Sequence, residues 1–240
     1  MGNVRGAAEW RYKDNINKLG KPVDKTEWGM TPPTINAYYN PASNEIVFPA
    51  GILQFPFFDF SADDAVNYGG IVAVIGHEMT HGFDDQGRQY DADGNLRDWW
   101  TENDAKQFKV KADQVVEEYN NFTVLDTLHL NGKLTLGENI ADIGGLSTAY
   151  TAFRKTEQWK SGKKIDGFTP DQRFFLAWAQ IWRTNTLPET SAQLVLVDPH
   201  SPGEFRTNGV VVHIDEFYNA FDVKPGDKMY LPAEKRIKIW

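Results

Sequence analysis

Three residues in the middle of the chain have the types and the spacing of a metal site. His77, Glu78 and His81 read H-E-x-x-H. On an α-helix, residues four positions apart lie above one another on the same face, so both imidazoles can reach one metal ion. Glu78 lies about 100° further around the helix, close enough to meet a water molecule on that ion. The spacing therefore predicts a zinc site with a carboxylate beside its open position.

The residues before the motif predict that it lies on a buried helix over residues 69–81. Ile71, Ile75 and Met79 form an apolar row at helical spacing. Small or apolar residues also lie beneath the histidine face: Gly70, Ala73 and Val74. A helix that is apolar on nearly every side is buried, and burying two histidines and a glutamate without a partner is costly. A zinc ion removes that cost, whereas the alternative is a chance match on a core helix.

A second stretch can supply the third ligand that a catalytic zinc site requires. The chain has no cysteine, so this ligand must be His, Asp or Glu. Glu138 and Asp142 are four residues apart and therefore point from one face of a second helix. Glu138 is the predicted ligand, while Asp142 is predicted to accept from a ring N–H of one histidine and Asp84 from the other. Taken alone, this spacing also fits a solvated helix face.

The remaining pattern predicts a mainly helical α+β fold in a single domain, residues 1–240. Two β-prone runs, 32–39 and 45–48, flank a turn-forming sequence and predict a hairpin. Helix starts are predicted at Thr101 and at Thr169, where a proline and a glutamine follow in capping-box positions. Residues 1–30 are a polar lead-in with helical character and no assigned function.

Two stretches before the metal helix each have two interpretations. Residues 36–38 form either an ordinary strand or an exposed edge whose backbone, with the Asn36 amide, pairs with an extended peptide. The apolar loop 51–58, interrupted by Pro56, is either core or the wall of a pocket. The loop precedes the metal helix closely enough for the second interpretation.

The composition limits the classes of partner. The chain has 240 residues, of which 41% are hydrophobic, and a net charge of −8. No basic patch or stripe occurs, which argues against a nucleic-acid partner. The longest apolar run is too short to cross a bilayer, and no signal peptide opens the chain. With no cysteine, these features favour the bacterial cytoplasm, while a cell-envelope or secreted location stays open if a longer protein carries a leader.

Several stretches between residues 35 and 240 resemble motifs of one enzyme family and follow one another in the order that they have in that family. They are Asn36-Ala-Tyr, Ile46-Val-Phe-Pro-Ala-Gly-Ile-Leu-Gln, His77-Glu-Met-Thr-His-Gly-Phe-Asp, Gly137-Glu-Asn-Ile-Ala-Asp, Asp198-Pro-His-Ser-Pro-Gly-Glu-Phe-Arg and the final Trp240. Together they resemble the catalytic region of the neprilysin-like zinc endopeptidases, which include neprilysin, endothelin-converting enzyme and bacterial oligopeptidases. The resemblance implies a thermolysin-like zinc peptidase catalytic domain with a small sheet or hairpin beside the metal-binding helix.

The resemblance implies roles for the residues around the metal. One zinc ion per chain would be held by three ligands: His77, His81 and Glu138. Glu78 would be the general base, and Asp142 and Asp84 would orient the two histidines. The implied reaction is hydrolysis of internal bonds in short peptides.

The resemblance also implies how a peptide substrate is held. Asn36 and Ala37 would bind its backbone, His200 would stabilise the oxyanion, and Arg206 would grip the carbonyl that follows the scissile bond. Without the resemblance, residues 200–206 would be interpreted as a surface loop.

A pocket for the side chain just after the scissile bond is implied as well. Its residues would be Ile52, Phe57, Ala73, Val74 and Trp182. Ala73 lies one turn before His77 and is smaller than the methionine expected there from neprilysin. Bulky apolar residues such as Phe or Leu are therefore predicted to fit this pocket.

Family members of this kind are typically much longer, with a large helical domain that encloses the active site. The 240 residues are therefore predicted to be the C-terminal catalytic part of a longer protein, with that helical domain and peptide substrates as partners. One alternative is a catalytically silent module that binds zinc or a partner, but such a module has no use for Glu78. Another is a zinc-free structural domain, which would leave Glu138 and both histidines without compensation.

Overall fold

The computed structural model of the chain describes residues 2–240, in which helices predominate over strands. The helices of this part of the chain are α1 (Gly2–Lys18), α2 (Asp64–Asn67), α3 (Ala73–His81), α4 (Glu102–Asn120), α5 (Leu136–Phe153), α6 (Glu157–Ser161), α7 (Pro170–Ile181), α8 (Pro188–Val197), α9 (Gly203–Val211) and α10 (Asp215–Phe221). The strands are β1 (Tyr38–Asn40), β2 (Glu45–Val47), β3 (Thr123–Leu125) and β4 (Leu128–His129), which form two separate antiparallel hairpins. The predicted mainly helical α+β fold is confirmed.

The first helix lies apart from the hydrophobic core. None of the residues of α1 is buried, and aromatic side chains such as Trp10 and Tyr12 are largely exposed. The core cluster begins at Ala37 and ends at Ile239. The predicted lead-in is thus helical over residues 2–18, and Met1 lies outside the described residues. Across residues 2–240, no helix combines the length and the apolar character that are needed to cross a bilayer.

The predicted hairpin consists of β1 and β2. Tyr38 pairs with Val47, and Asn40 pairs with Glu45 across a short turn. Because the ladder begins at Tyr38, the preceding residues Asn36 and Ala37 are not part of the paired strand. The interpretation of residues 36–38 as an ordinary strand is therefore wrong for the first two of them.

The predicted metal helix is not continuous. A π-helical turn, Tyr68–Val72, joins α2 to α3, and Gly70 within it has φ −97° and ψ −106°. The Phe57 carbonyl oxygen occupies the place where a side chain of residue 70 would lie, and it accepts a hydrogen bond from Ile71 N–H at 2.7 Å. The helix is distorted here because the loop that carries Phe57 packs against its backbone.

The buried side of α3 also differs from the prediction. Met79 is 54% exposed and Ile75 is half-buried, whereas Ala73, Gly76 and His77 are buried. Gly76 packs against Gly145 of α5, whereas the row of larger apolar residues runs from buried Ile71 out to exposed Met79. The interpretation of Met79 as buried is therefore wrong.

Two glycines allow α3 and α5 to touch backbone to backbone. A Cβ atom on Gly76 would lie 2.6 Å from the carbonyl oxygen of Gly145, and one on Gly145 would overlap the backbone nitrogen of His77. Neither position has room for a side chain. The crossing lies at the level of His77, and Glu138 lies two turns before Gly145 on α5, so the close approach brings the two predicted metal-binding stretches together.

The predicted helix starts are confirmed. Thr101 caps α4 by accepting a hydrogen bond from Asp104 N–H at 3.2 Å. Thr169 caps α7 in a reciprocal capping box, in which Gln172 N–H donates to Thr169 Oγ1 and Thr169 N–H donates to Gln172 Oε1. These caps satisfy backbone N–H groups that have no partner within their own helix. α7 then buries Trp178 in the core.

We expect Gly145→Ala to destabilise the chain, because the added methyl group must push α5 away from the backbone of His77. Overpacking of this kind costs about 1–3 kcal/mol of unfolding free energy, which denaturant titration can measure. Gly6→Ala is the matched control, since nothing lies within 4 Å of its Cβ position on exposed α1. Equal stability of the two variants would contradict the tight crossing.

Candidate metal centre and active site

Two imidazoles on α3 point at each other across a short gap. His77 Nε2 and His81 Nε2 are 3.0 Å apart. Each ring is held from behind by a carboxylate, with His77 Nδ1 2.8 Å from Asp142 Oδ1 and His81 Nδ1 2.7 Å from Asp84 Oδ2. A carboxylate can only accept, so each Nδ1 carries a proton, and in the neutral form of either ring the lone pair lies on Nε2. Two facing lone pairs form a place for a cation.

A carboxylate from α5 completes this group. Glu138 Oε2 lies 3.3 Å from His77 Nε2, and Glu138 Oε1 lies 3.6 Å from His81 Nε2. Glu138 Oε2 is buried and has no hydrogen-bond partner within residues 2–240. A buried carboxylate oxygen without a partner is costly, and a metal ion is one way to satisfy it.

A second carboxylate competes for the position of third ligand. Ligand atoms of His77, Glu78 and His81 lie within 4.8 Å of one another, so Glu78 could also contribute an oxygen. Two imidazoles and one carboxylate, with no cysteine in the chain, are a donor set that zinc accepts in catalytic sites. These residues therefore fit a zinc ion with either glutamate.

Burial and charge shift the acidities of the site in opposite directions. Burial lowers the pKa of His77, but the negative charge of Asp142 and its hydrogen bond outweigh burial and raise it to about 9. Burial raises the pKa of Glu78, which the charges of the histidines only partly offset. Burial also raises the pKa of Glu138, yet the contact with His77 and the charge of that ring hold it well below its usual range.

Arg206 is the counter-ion of the carboxylate behind His77. Its Nε and Nη2 atoms donate to the two oxygens of Asp142 at 2.7 and 2.8 Å, and both side chains are buried. Burial raises the pKa of Asp142, but the charge of Arg206 outweighs it and holds the net value below the usual range. The guanidinium also lies over the Trp182 ring, 3.7 Å from its centroid.

His200 approaches the centre from the loop between α8 and α9. Its ring is held by Asp198, with Nδ1 2.7 Å from Asp198 Oδ1. On the other side, His200 Nε2 lies 3.4 Å from Glu138 Oε1. The side chain is 45% exposed, so it faces both the metal-binding group and open space.

One cleft of about 630 Å³ contains the metal-binding group. Its lining includes most residues that the sequence suggested for substrate binding: Asn36, Ala37, Ile52, Phe57, Val74, Trp182, His200 and Arg206. Ala73 is not among the lining residues and packs in the core cluster instead. The expectation that Ala73 is a wall of the pocket is wrong.

Other residues of the cleft were not expected from the sequence. Tyr39 and Gln86 line it, and Trp178, which has the spacing of a core residue, forms part of its wall. The ion pair between Asp142 and Arg206 also went unpredicted, because 64 positions separate the two residues. Nothing in the local pattern of either residue signals this contact.

A family model places the chain among known proteins. Residues 36–237 match the model described as Peptidase family M13. The endothelin-converting enzyme homolog of Locusta migratoria is 47% identical over 236 residues, which are 97% of this chain and 32% of that protein. Human endothelin-converting enzyme 1 is 46% identical over 235 residues, 96% of this chain and 30% of that protein.

The fold of the chain is also similar to that of a solved zinc metalloprotease. The zinc metalloprotease Zmp1 of Mycobacterium tuberculosis, in complex with an inhibitor, superposes with a TM-score of 0.90 and 51% identity. The match covers 96% of this chain and 36% of that one. The chain thus spans about a third of the length of the relatives it matches. By sequence and by fold, it belongs to peptidase family M13.

Proposed function

We propose that this chain is a zinc-dependent peptidase domain, residues 1–240, that hydrolyses internal bonds of short peptides. The observation that supports this most directly is the convergence of four groups in one cleft: the Nε2 atoms of His77 and His81 and the carboxylates of Glu138 and Glu78. The family membership and the similarity to endothelin-converting enzyme 1 and to a zinc metalloprotease support the same reaction class.

Glu138 is the better candidate for the third ligand. Its buried Oε2 has no hydrogen-bond partner within residues 2–240 and lies 3.3 Å from His77 Nε2, on the side of the gap between the two imidazoles. Burial raises the pKa of Glu78, which suits a group that both takes up and releases a proton. Two carboxylates in one site with pKa values displaced in opposite directions favour two different roles.

The chemistry divides between the ion and the protein. A zinc ion held by His77, His81 and Glu138 would supply Lewis acidity, which lowers the pKa of water and polarises a peptide carbonyl. Glu78 takes the proton from the attacking water and delivers it to the leaving amine. Asp142 and Asp84 keep the histidine rings in the tautomer that leaves Nε2 free for the metal.

Groups on the rim of the cleft hold the peptide. His200 is placed to stabilise the oxyanion through Nε2, since Nδ1 is occupied by Asp198. Arg206 uses Nε and Nη2 for Asp142, so Nη1 is the atom left to bind the carbonyl after the scissile bond. Asn36 and Ala37, which precede the β1 ladder, offer backbone groups to an extended peptide.

Apolar side chains beside the metal group select the residue after the scissile bond. Ile52, Phe57, Val74 and Trp182 line this part of the cleft. These four side chains form an uncharged wall. The nearest charge is that of Arg206, and Trp182 and Asp142 cover its guanidinium. A bulky apolar residue such as Phe or Leu buries the most surface there and is the favoured substrate.

Glu78→Gln is expected to reduce turnover of a quenched peptide by about 100-fold or more, because the amide cannot accept the proton of the attacking water. Zinc content, measured on the same sample by mass spectrometry, should stay at one ion per chain. Glu117→Gln, on the exposed side of α4, is the matched control and should keep full activity. Retained activity in Glu78→Gln would rule out its role as the base.

Zinc is expected to raise the melting temperature of the chelator-treated chain, because the ion binds only the folded arrangement of ligands. A 100-fold excess over the dissociation constant corresponds to about 2.7 kcal/mol, or about 5–10 °C for a domain of this size. Glu138→Gln should weaken zinc affinity at least about tenfold by calorimetry, whereas Glu78→Gln should leave it near the native value. The reverse order would make Glu78 the ligand.

Val74→Phe is expected to change substrate preference by filling the apolar pocket. The variant should lose about 10–100-fold in kcat/KM for peptides with Phe or Leu after the cut and much less for those with Ala. Val110→Phe, on the exposed face of α4, is the matched control. A peptide library in which the native chain prefers Gly or Ala after the cut would contradict the assigned pocket.

A further inference from the structure

His200 depends on more than its own loop for its position. The loop between α8 and α9 has no helical or strand structure at residues 198–202. The bond between the His200 ring and Asp198 spans only two residues, so it orients the ring within the loop. It cannot set the distance between the loop and α5, which carries Glu138. Another contact has to fix that distance.

A buried hydrogen bond joins this loop to α5. Ser201 Oγ donates to Asn139 Oδ1 at 2.8 Å, and the two residues are 4% and 0% exposed. The other end of the same amide is also engaged, since Asn139 Nδ2 donates to Thr135 Oγ1 at 2.9 Å. With both ends of the amide in use, its acceptor is held facing Ser201.

Neighbouring residues of the loop meet neighbouring residues of α5. Ser201 of the loop is hydrogen-bonded to Asn139 of α5. His200 and Glu138 each come one position earlier in these two segments, and His200 Nε2 lies 3.4 Å from Glu138 Oε1. We propose that Ser201 and Asn139 are positioning residues that set the distance of His200 from Glu138, an inference that rests on the proposed function of His200 as oxyanion donor. Because the two pairs are adjacent in sequence, the buried Ser201–Asn139 hydrogen bond fixes the position of the more exposed His200 ring.

Neither positioning residue borders the substrate cleft. Ser201 and Asn139 are absent from its lining, whereas His200 and Glu138 are both part of it. The buried pair therefore acts on catalysis through His200 and touches no part of the peptide. A group that acts through another residue should have no effect once that residue is removed.

The test is a double-mutant cycle on the zinc-loaded chain with Ser201→Ala, His200→Ala and the pair. The readouts are kcat and KM for one peptide and the dissociation constant of a phosphonate peptide that mimics the tetrahedral intermediate. Ser201→Ala should lower kcat and analogue affinity about tenfold, with KM within about twofold, as expected for loss of one buried hydrogen bond. In the His200→Ala background, Ser201→Ala should change neither kcat nor the affinity for the phosphonate by more than about twofold.

The controls separate positioning from general stability. Ser201→Thr keeps the hydroxyl and should recover most of the kcat. Ser43→Ala removes a hydroxyl that is equally buried, at 4% exposure, and hydrogen-bonded within the β1–β2 turn, so it should leave kcat unchanged. A Ser201→Ala effect of the same size with and without His200 would overturn the proposal, because the loss would then not pass through His200.

Failure of the proposed function gives a different result. If the native chain neither cleaves peptides nor binds the phosphonate, the peptidase assignment fails, and the buried bond is judged by hydrogen–deuterium exchange in the metal-free chain. Exchange of residues 198–202 that is about tenfold faster in Ser201→Ala than in the native chain and Ser43→Ala supports the positioning role. Equal exchange in all three overturns it.

Discussion

The candidate site depends on one contact, the backbone-to-backbone crossing of α3 and α5. Helices usually pack about 8–10 Å apart because side chains separate them. Here Gly76 and Gly145 remove that spacing, so the two histidines of α3 come within 3.3–3.6 Å of the Glu138 carboxylate on α5. His77, His81 and Glu138 lie on two packed helices, so the packing of the core determines the distances between them.

The buried carboxylates behind the two histidines are stabilised by donors of their own. Asp142 would be a costly charge in the interior if it stood alone, but it accepts from both Arg206 and His77. Asp84 has a similar position behind His81 and also accepts from the backbone N–H of Gly87. Each histidine is thus oriented by a carboxylate that has further donors of its own.

The sequence predicted the parts of the site that follow from local spacing. H-E-x-x-H and the four-residue separation of Glu138 and Asp142 define helix faces, and the capping pattern at Thr169 defines a helix start. The bend at Gly70 was not predictable, because it is caused by the Phe57 carbonyl of a separate loop. Burial of Ala73 and exposure of Met79 also depend on which face α5 covers, and single-helix periodicity does not contain that information.

Arg206 links two properties of the site that are usually treated as separate. One face of its guanidinium covers the Trp182 ring in the wall of the cleft, while its edge holds the Asp142 carboxylate behind His77. A substitution at Trp182 therefore reaches beyond the wall of the cleft, because any shift of the guanidinium changes the charge and hydrogen bonds that Asp142 presents to the His77 imidazole.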